Sequence, residues 1–376
     1  MNNLGYMYET GRGVTMSIDQ AVRLYRQSAD AGNALAASNL GGLYRDGKGV
    51  PRDMGEAVRY FKKAVDLGEH TGMYKLGLLY RDGNGVLQDS TEAVRLFQLA
   101  ANRGNVDATT ELGYDYENGI GGLKRDSQEA ARLYKKAADM GSALAMNNLG
   151  YLTQVGKGVA KNPEEAVRLY KKAVDAGNGL AATNLGYLYE MGIGVPKNVL
   201  EAARYYQIGS DRGDGMASGN LGGLYRDGSG VRKDLKEAAR LFRKGIEQGD
   251  HFSMLKLGFL YKEGQGVPRS DTEALRLFNQ AAQKNNTDAM YQLGLFATLG
   301  RGGPKDATTA ANWLVKAIAG GNNFSLTEMT TNSGAWGAPF RAAVQVELKQ
   351  RGLYNGPVNG TFGSSTIAAL KQLAGG

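Results

Sequence analysis

The stretch AASNLGGLYRDGKGVPRDMGEAVRYFKKAVDLG, residues 36–68, reads as two short helices joined by a glycine-broken turn. Ala36, Ala37, Leu40, Leu43 and Tyr44 recur at helical spacing and give the first helix, A, an apolar stripe. Gly41 leaves room for a neighbouring helix. Gly47-Lys48-Gly49-Val50 then breaks the helix, because glycine accepts positive φ at little steric cost. The second helix, B, starts at Asp53-Met54-Gly55-Glu56, buries Ala57, Tyr60, Phe61 and Ala64, and closes at Gly68. A unit of this size cannot bury its apolar face alone.

It does not stand alone. Leu-Gly pairs begin at Leu4, Leu40, Leu76, Leu112, Leu149, Leu185, Leu221, Leu257 and Leu293, at intervals of 36 residues with a single 37. The extra residue lies in the loop Gly119-Ile120-Gly121-Gly122-Leu123. A fixed period of this length means stacked supersecondary units, so the spacing predicts an all-α, right-handed α/α solenoid of nine helix pairs. Most of the 55 glycines have fixed addresses in that period, which makes them structural and rules out a low-complexity reading.

The carboxylates that could be mistaken for catalysts follow the same period. Ser17, Asp53, Asp89, Asp126, Asn162, Asn198, Asp234, Ser270 and Asp306 are all N-cap types at the start of helix B. Three positions later stand Gln20, Glu56, Glu92, Glu129, Glu165, Glu201, Glu237, Glu273 and Thr309; in eight of the nine units this predicts a capping box, the acid or amide reaching back to the cap's N–H. Catalytic carboxylate pairs would occur once, in unlike environments. The recurring Gly-x-Gly follows a helix and leads to a capped helix, so it is a turn and not a dinucleotide loop. His70 and His251 hold equivalent positions five units apart, without a second histidine at ligand spacing, and read as helix-entry residues. No catalytic constellation, metal site or cofactor motif is expected.

Cysteine is absent, which removes disulfides, thiolate nucleophiles and sulfur ligands. The net charge of +8 is interleaved with acids in every unit, as a solvated helix surface requires. Single-stranded nucleic acid on the basic, aromatic surface is the disfavoured alternative. No apolar run reaches the roughly 18–20 residues needed to span a bilayer. Met1-Asn2-Asn3-Leu4-Gly5 enters the first A helix directly, with no signal peptide or capping helix before it, so the chain is expected to be the C-terminal part of something longer or a truncated reading frame.

Ala-x-x-x-Leu-Gly-x-x-Tyr, then Gly-x-Gly-Val, then Glu-Ala-x-x-x-Tyr/Phe-x-x-Ala-x-x-x-Gly is similar to the Sel1-like repeat, shown in full by Ala145, Leu149, Gly150, Gly156, Gly158, Val159, Glu165, Ala166, Tyr170, Ala173 and Gly177. The resemblance covers residues 1–321. It implies a solenoid related to the tetratricopeptide class, acting as a non-enzymatic scaffold or adaptor. By that resemblance three positions face a bound protein or peptide: the residue before each Leu-Gly, the one after it, and the one three places further on. These include Asn39, Asn148, Asn184 and Asn220, then Tyr114, Tyr151, Tyr187 and Phe259, then Arg45, Arg81, Arg226 and Lys262. Amides can pair with a peptide backbone, aromatics supply contact area, and cations meet carboxylates. Inter-repeat hydrogen bonding between the asparagines is the competing reading.

After Gly321 the period stops, and residues 322–338, with Thr330-Thr331-Asn332-Ser333-Gly334, read as a linker. Residues 339–376 resemble a small three-helix peptidoglycan-binding domain, on a Gln-x-x-Leu helix, Gly352-x-Tyr354, and Gly356-Pro357-Val358-x-Gly360-x-Phe362-Gly363-x-x-Thr366. That resemblance implies glycan contact through Tyr354, Asn359 and Phe362. Asn359 stands where the family usually has an acid, and the last helix lacks the usual aromatic-Gln ending. Helical repeats followed by this module resemble the C-terminal half of bacterial caspase-like proteins. The expected function is therefore an interaction scaffold serving the cell envelope, periplasmic if an export signal lies upstream; the alternative is the regulatory part of a multidomain peptidase whose catalytic domain is absent from this chain.

Overall fold

In the computed structural model, residues 1–375 are described; they form 21 α-helices and one 3-10 turn, with no strand. The odd-numbered helices α1 to α17 are the A helices: Asn2–Thr10, Ala34–Asp46, His70–Asp82, Val106–Asn118, Ala143–Val155, Gly179–Met191, Gly215–Asp227, Phe252–Glu263 and Thr287–Leu299. The even-numbered α2 to α18 are the B helices: Ile18–Asp30, Met54–Asp66, Ser90–Asn102, Ser127–Asp139, Pro163–Asp175, Val199–Asp211, Leu235–Glu247, Asp271–Gln283 and Ala307–Ala319. The described chain divides into two compact units: Met1–Ala181 with Gly192–Pro196, and Ala182–Met191 with the chain from Lys197 on.

In the first unit, the B-helix rings of Tyr25, Phe61, Phe97, Tyr134 and Tyr170 are buried beneath the Leu-Gly glycine of their own pair. A Cβ on Gly41 would stand 2.8 Å from the Phe61 ring, and one on Gly150 the same distance from Tyr170. The glycine is therefore the seat of a ring, and ring burial is the main apolar term of each pair. In the second unit Tyr206, Phe242 and Phe278 repeat the arrangement. Leu314 takes the ring's place in the ninth pair, where the nearest Leu314 side-chain atom lies 3.8 Å from the position of a Cβ on Gly294.

All nine expected N-caps form, each side chain accepting a backbone N–H of the first turn. The reciprocal half of the capping box does not. The cap's own N–H is already bonded to the carbonyl of the preceding A helix, as in Asp53 to Tyr44 at 3.0 Å and Asp89 to Tyr80 at 2.9 Å. The glutamates turn outward to the arginine three residues on: Glu56 to Arg59 at 2.8 Å, Glu92 to Arg95 at 2.7 Å, Glu129 to Arg132 at 2.6 Å. The backbone bond fixes where B starts relative to A, so the hairpin needs no side chain for it.

The C-terminal region departs from expectation. In place of a linker over residues 322–338, the chain forms a nine-residue helix, α19 (Asn323–Thr331), followed by the 3-10 turn at Ser333–Ala335. Asn322 caps α19 by accepting Ser325 N–H at 2.8 Å and donates to Asp288 Oδ1 at 2.8 Å, tying the start of α19 to α17. Two more helices follow, α20 (Ala338–Gln350) and α21 (Ser364–Gly375). Met329, Trp336, Phe340, Val344, Leu348 and Leu370 form one core with Ala310, Ala311, Leu314, Val315 and Ile318 of α18. Trp336 stacks on Phe340 with ring centroids 4.5 Å apart. These helices cover the ninth pair, so the region belongs to the second unit.

Candidate functional site

On every A helix the residue before Leu-Gly, the one after it and the one three further on are three apart, and so share one face. Two kinds of pair emerge. Where helix B supplies a tyrosine, its buried hydroxyl needs a partner. Tyr25 donates to Glu9 at 2.6 Å, Tyr134 to Glu117 at 3.2 Å, Tyr170 to Gln154 at 3.0 Å and, in the second unit, Tyr206 to Glu190 at 2.6 Å. Asn39, Asn148 and Asn220, on the next A helix in each case, lie near the hydroxyls of Tyr25, Tyr134 and Tyr206 and work against the upward shift of those phenols. Burial first, then the acceptor carboxylate, pushes the phenols of Tyr134 and Tyr206 far up.

Where helix B supplies a phenylalanine, no hydroxyl has to be met and a cation takes the acceptor's place. Arg45 pairs with Asp46 at 2.7 Å, and Arg226 with Asp227 at 2.7 Å. Arg81 bridges Asp82 at 2.9 Å and Glu111 at 3.0 Å, while Lys262 reaches Gln292 at 3.3 Å and Glu263 at 3.5 Å.

The sequence-derived residues therefore divide. Tyr114, Tyr151 and Tyr187 are 50%, 49% and 45% exposed, which leaves their rings free as contact surface. Asn39, Asn148 and Asn220 lie near the preceding pair's tyrosine hydroxyl, and Asn39 donates to Asn2 Oδ1 at 3.3 Å; Asn184 holds the same register position on α11. Phe259 is partly buried and meets Phe278 edge-on, with centroids 5.5 Å apart, so less of its ring is open to contact than at the three tyrosines. In the first unit, Tyr114 borders a cavity of about 590 Å³ with Arg81, Asp82, Thr110, Glu111, Leu144 and Asn148. Leu144, 47% exposed, and Val155, 43% exposed, extend the apolar surface on either side of Tyr151 along α9 and were missed because the repeat pattern does not fix their positions.

Asp115 was also missed. It is 2% exposed, and its Oδ2 has no hydrogen-bond partner. Desolvation, with the Glu111 charge second, pushes its carboxyl up to about 7.

At the C-terminus, Gln345 is the pivot of the loop between α20 and α21. Its Nε2 donates to Thr361 O at 2.8 Å and its Oε1 accepts Asn359 N–H at 3.0 Å and Gly360 N–H at 2.8 Å. Tyr354, expected as a glycan contact, is 4% exposed, and its hydroxyl donates to Pro357 O at 2.9 Å. Phe362 packs partly buried against the core. Asn359 alone of the three is exposed, its Oδ1 accepting Thr361 N–H at 2.9 Å.

The chain is similar to two solved structures of at least 26% identity. One is c5321, a protective antigen of uropathogenic Escherichia coli strains displaying an SLR fold, at 26% identity and TM-score 0.60 over 99% of this chain and 90% of that one. The other is a Sel1 repeat protein from Oxalobacter formigenes, at 31% identity and TM-score 0.61 over 67% of this chain and 100% of that one. The comparison with curated proteins gives no match. The family model of the Sel1 repeat matches residues 1–33, 34–69, 70–105, 106–142, 143–178, 179–214, 216–250, 251–286 and 287–322. With a ring-seating glycine or its equivalent in each of those nine segments, the chain belongs to the Sel1 repeat family.

Proposed function

We propose that the exposed A-helix face binds an extended segment of a partner protein, making the chain an interaction scaffold. Sel1 repeats typically mediate protein–protein binding, and their fold is typically a non-catalytic scaffold. The observation that carries the reading here is the half-exposed tyrosine that recurs in the pairs whose buried hydroxyls are already satisfied from within. Rings left exposed beside an apolar Leu144 and Val155 supply contact area at small entropic cost, as interface hot spots do. The asparagines lie near the preceding pair's tyrosine hydroxyls, so the reading rests on the aromatics and cations. Replacing Tyr114 and Tyr151 together by serine in the full chain is expected to abolish partner capture, with the thermal midpoint unchanged. Retained capture would overturn the reading.

A finer role at the cell envelope is proposed for the C-terminal helices. It is supported by their resemblance to peptidoglycan-binding domains and by the exposed Asn359, held on a loop that Gln345 makes rigid. The full chain should co-sediment with purified peptidoglycan, and Asn359→Ala should weaken this. Sedimentation no greater than a control protein's would leave these helices with a covering role only. Among the described residues no helix is long and apolar enough to cross a membrane.

A further inference from the structure

Two A helices carry a second glycine after Leu-Gly. NLGGLYRDG stands at residues 39–47 and returns unchanged at 220–228. The other seven A helices have tyrosine, phenylalanine or leucine at the position of Gly42 and Gly223. Each of these glycines is followed 33 residues later by a lysine, Lys75 or Lys256, at a place where the other pairs have Asn, Gln or Glu. Double glycine and lysine thus occur together twice and not otherwise, once in each compact unit.

The structure shows what the pairing does. Without a side chain at Gly42, α3 and α5 come close together, and α13 and α15 do the same around Gly223. A Cβ on Gly42 would lie 3.7 Å from Lys75 Nζ, and one on Gly223 would meet nothing within 4 Å. A larger residue at Gly42 would extend over Lys75. Lys75 Nζ lies 5.8 Å from the centroid of the Phe61 ring, and Lys256 Nζ 5.7 Å from that of Phe242. Lys75 makes no hydrogen bond or ion pair among the described residues, whereas Lys256 donates only to Gly219 O, at 3.4 Å. Arg45 and Arg226 flank them, each paired with the aspartate that follows it. Burial, with the neighbouring arginine helping, holds both ammonium groups below the usual lysine range. A partly desolvated cation without an anion is unfavourable until an anion arrives.

We propose that each place receives a carboxylate: Lys75 with Arg45, and Lys256 with Arg226, bind an aspartate or glutamate side chain flanked by an apolar residue in an extended partner segment. The proposal rests on the scaffold reading above and names the chemistry of the segment. Charge decides for a carboxylate. The lining of the cavity at the first copy, about 420 Å³, sets Arg45, Arg52 and Lys75 against Asp46 and Asp82, one net positive charge, while Glu69 and Glu9 act on Lys75 from outside the lining. A monoanion matches that charge, whereas a dianionic phosphate would meet two carboxylates. Met54, Leu78 and Leu79 line the same cavity and suit the apolar neighbour.

The test uses the full chain, labelled with 15N, and four probes. These are an N-acetylated, C-amidated peptide Ala-Leu-Glu-Leu-Ala, its glutamine analogue, that analogue with a free C-terminal carboxylate, and inorganic phosphate. The glutamate peptide is expected to shift the Gly42 and Gly223 amides and to bind at least about tenfold more tightly than the glutamine analogue. Lys75→Met should remove the shift at Gly42 alone, and Lys256→Met that at Gly223 alone. Gly42→Tyr, which adds the side chain that several other pairs carry, should close the first pocket with the fold intact. Equal binding of the glutamine analogue, or larger shifts from phosphate or the free terminus, would overturn the proposal. So would shifts confined to Tyr114 and Tyr151, which leave the scaffold reading standing. Absence of any shift overturns the pockets alone, since the Tyr114 and Tyr151 variants decide the scaffold reading independently.

Discussion

Asp115 occupies, on α7, the place that Leu43, Leu79, Leu152, Leu188, Leu224 and Leu260 hold on other A helices. A carboxyl there has traded packing for a buried, unpartnered oxygen. Its folded-state value of about 7 lies above the roughly 3.9 of an unfolded aspartate. Between those values the folded chain binds more protons than the unfolded one, so this group's contribution to stability falls as pH rises from about 4 to about 7. Asp115→Leu is therefore expected to raise the thermal midpoint, and by more at pH 8 than at pH 4. An equal gain at both pH values would trace the effect to packing and remove charge from the explanation. The same pair holds the one inserted residue, in the loop at Gly119–Leu123, so both departures from the repeat fall together.

At the scale of the element, helix B is fixed by two bonds of different origin. Asp89 accepts Thr91 N–H and Glu92 N–H, both at 3.0 Å, while its own N–H is held by Tyr80 O. Asp89→Ala removes only the first and should cost about 1 kcal/mol in denaturant unfolding. Glu92→Ala removes a surface pair with Arg95 and should cost less than about 0.5 kcal/mol. A larger loss for Glu92 than for Asp89 would restore the capping box. The nine caps were legible because Ser, Asp and Asn recur in register. The missing reciprocal bond was not, because the Tyr80 carbonyl that displaces it is backbone and leaves no mark in the residue pattern.

For the whole molecule, period alone dictated nine pairs, since a glycine that seats a ring cannot drift from its place. The A-helix face was only half legible. Tyr151 could be placed on it from spacing, but what Asn148 does depends on Tyr134 of the preceding pair, a contact that spacing along one helix does not reveal. The helix at Asn323–Thr331 was hidden by its Thr- and Asn-rich composition, although Asn322 stands 36 residues after Asn286, the cap of α17. Tyr354 read as surface because Gln345, which draws its loop inward, lies nine residues earlier, across a turn.

The cover laid over α18 sets where stacking stops. Within each unit a B helix meets the A helix that follows it, as α2 meets α3 and α12 meets α13, a contact that could in principle repeat without limit. After α18 the chain supplies α19 and then Trp336, Phe340 and Val344, which close the apolar face to any further pair. Cutting the chain after Gly321 would bare Ala311, Leu314 and Val315 on a surface shaped for another helix, and docking of that surface on the exposed Leu4 and Tyr6 of α1 in a second copy would allow head-to-tail growth. Sedimentation of the shortened chain should show species that grow with concentration, whereas the intact chain should not lengthen through this end. A shortened chain that stays at one size at all concentrations would mean that α18 needs no stopper. If instead the species grow, residues 322–375 act as a terminator in the polymer sense, closing the apolar face of the ninth pair.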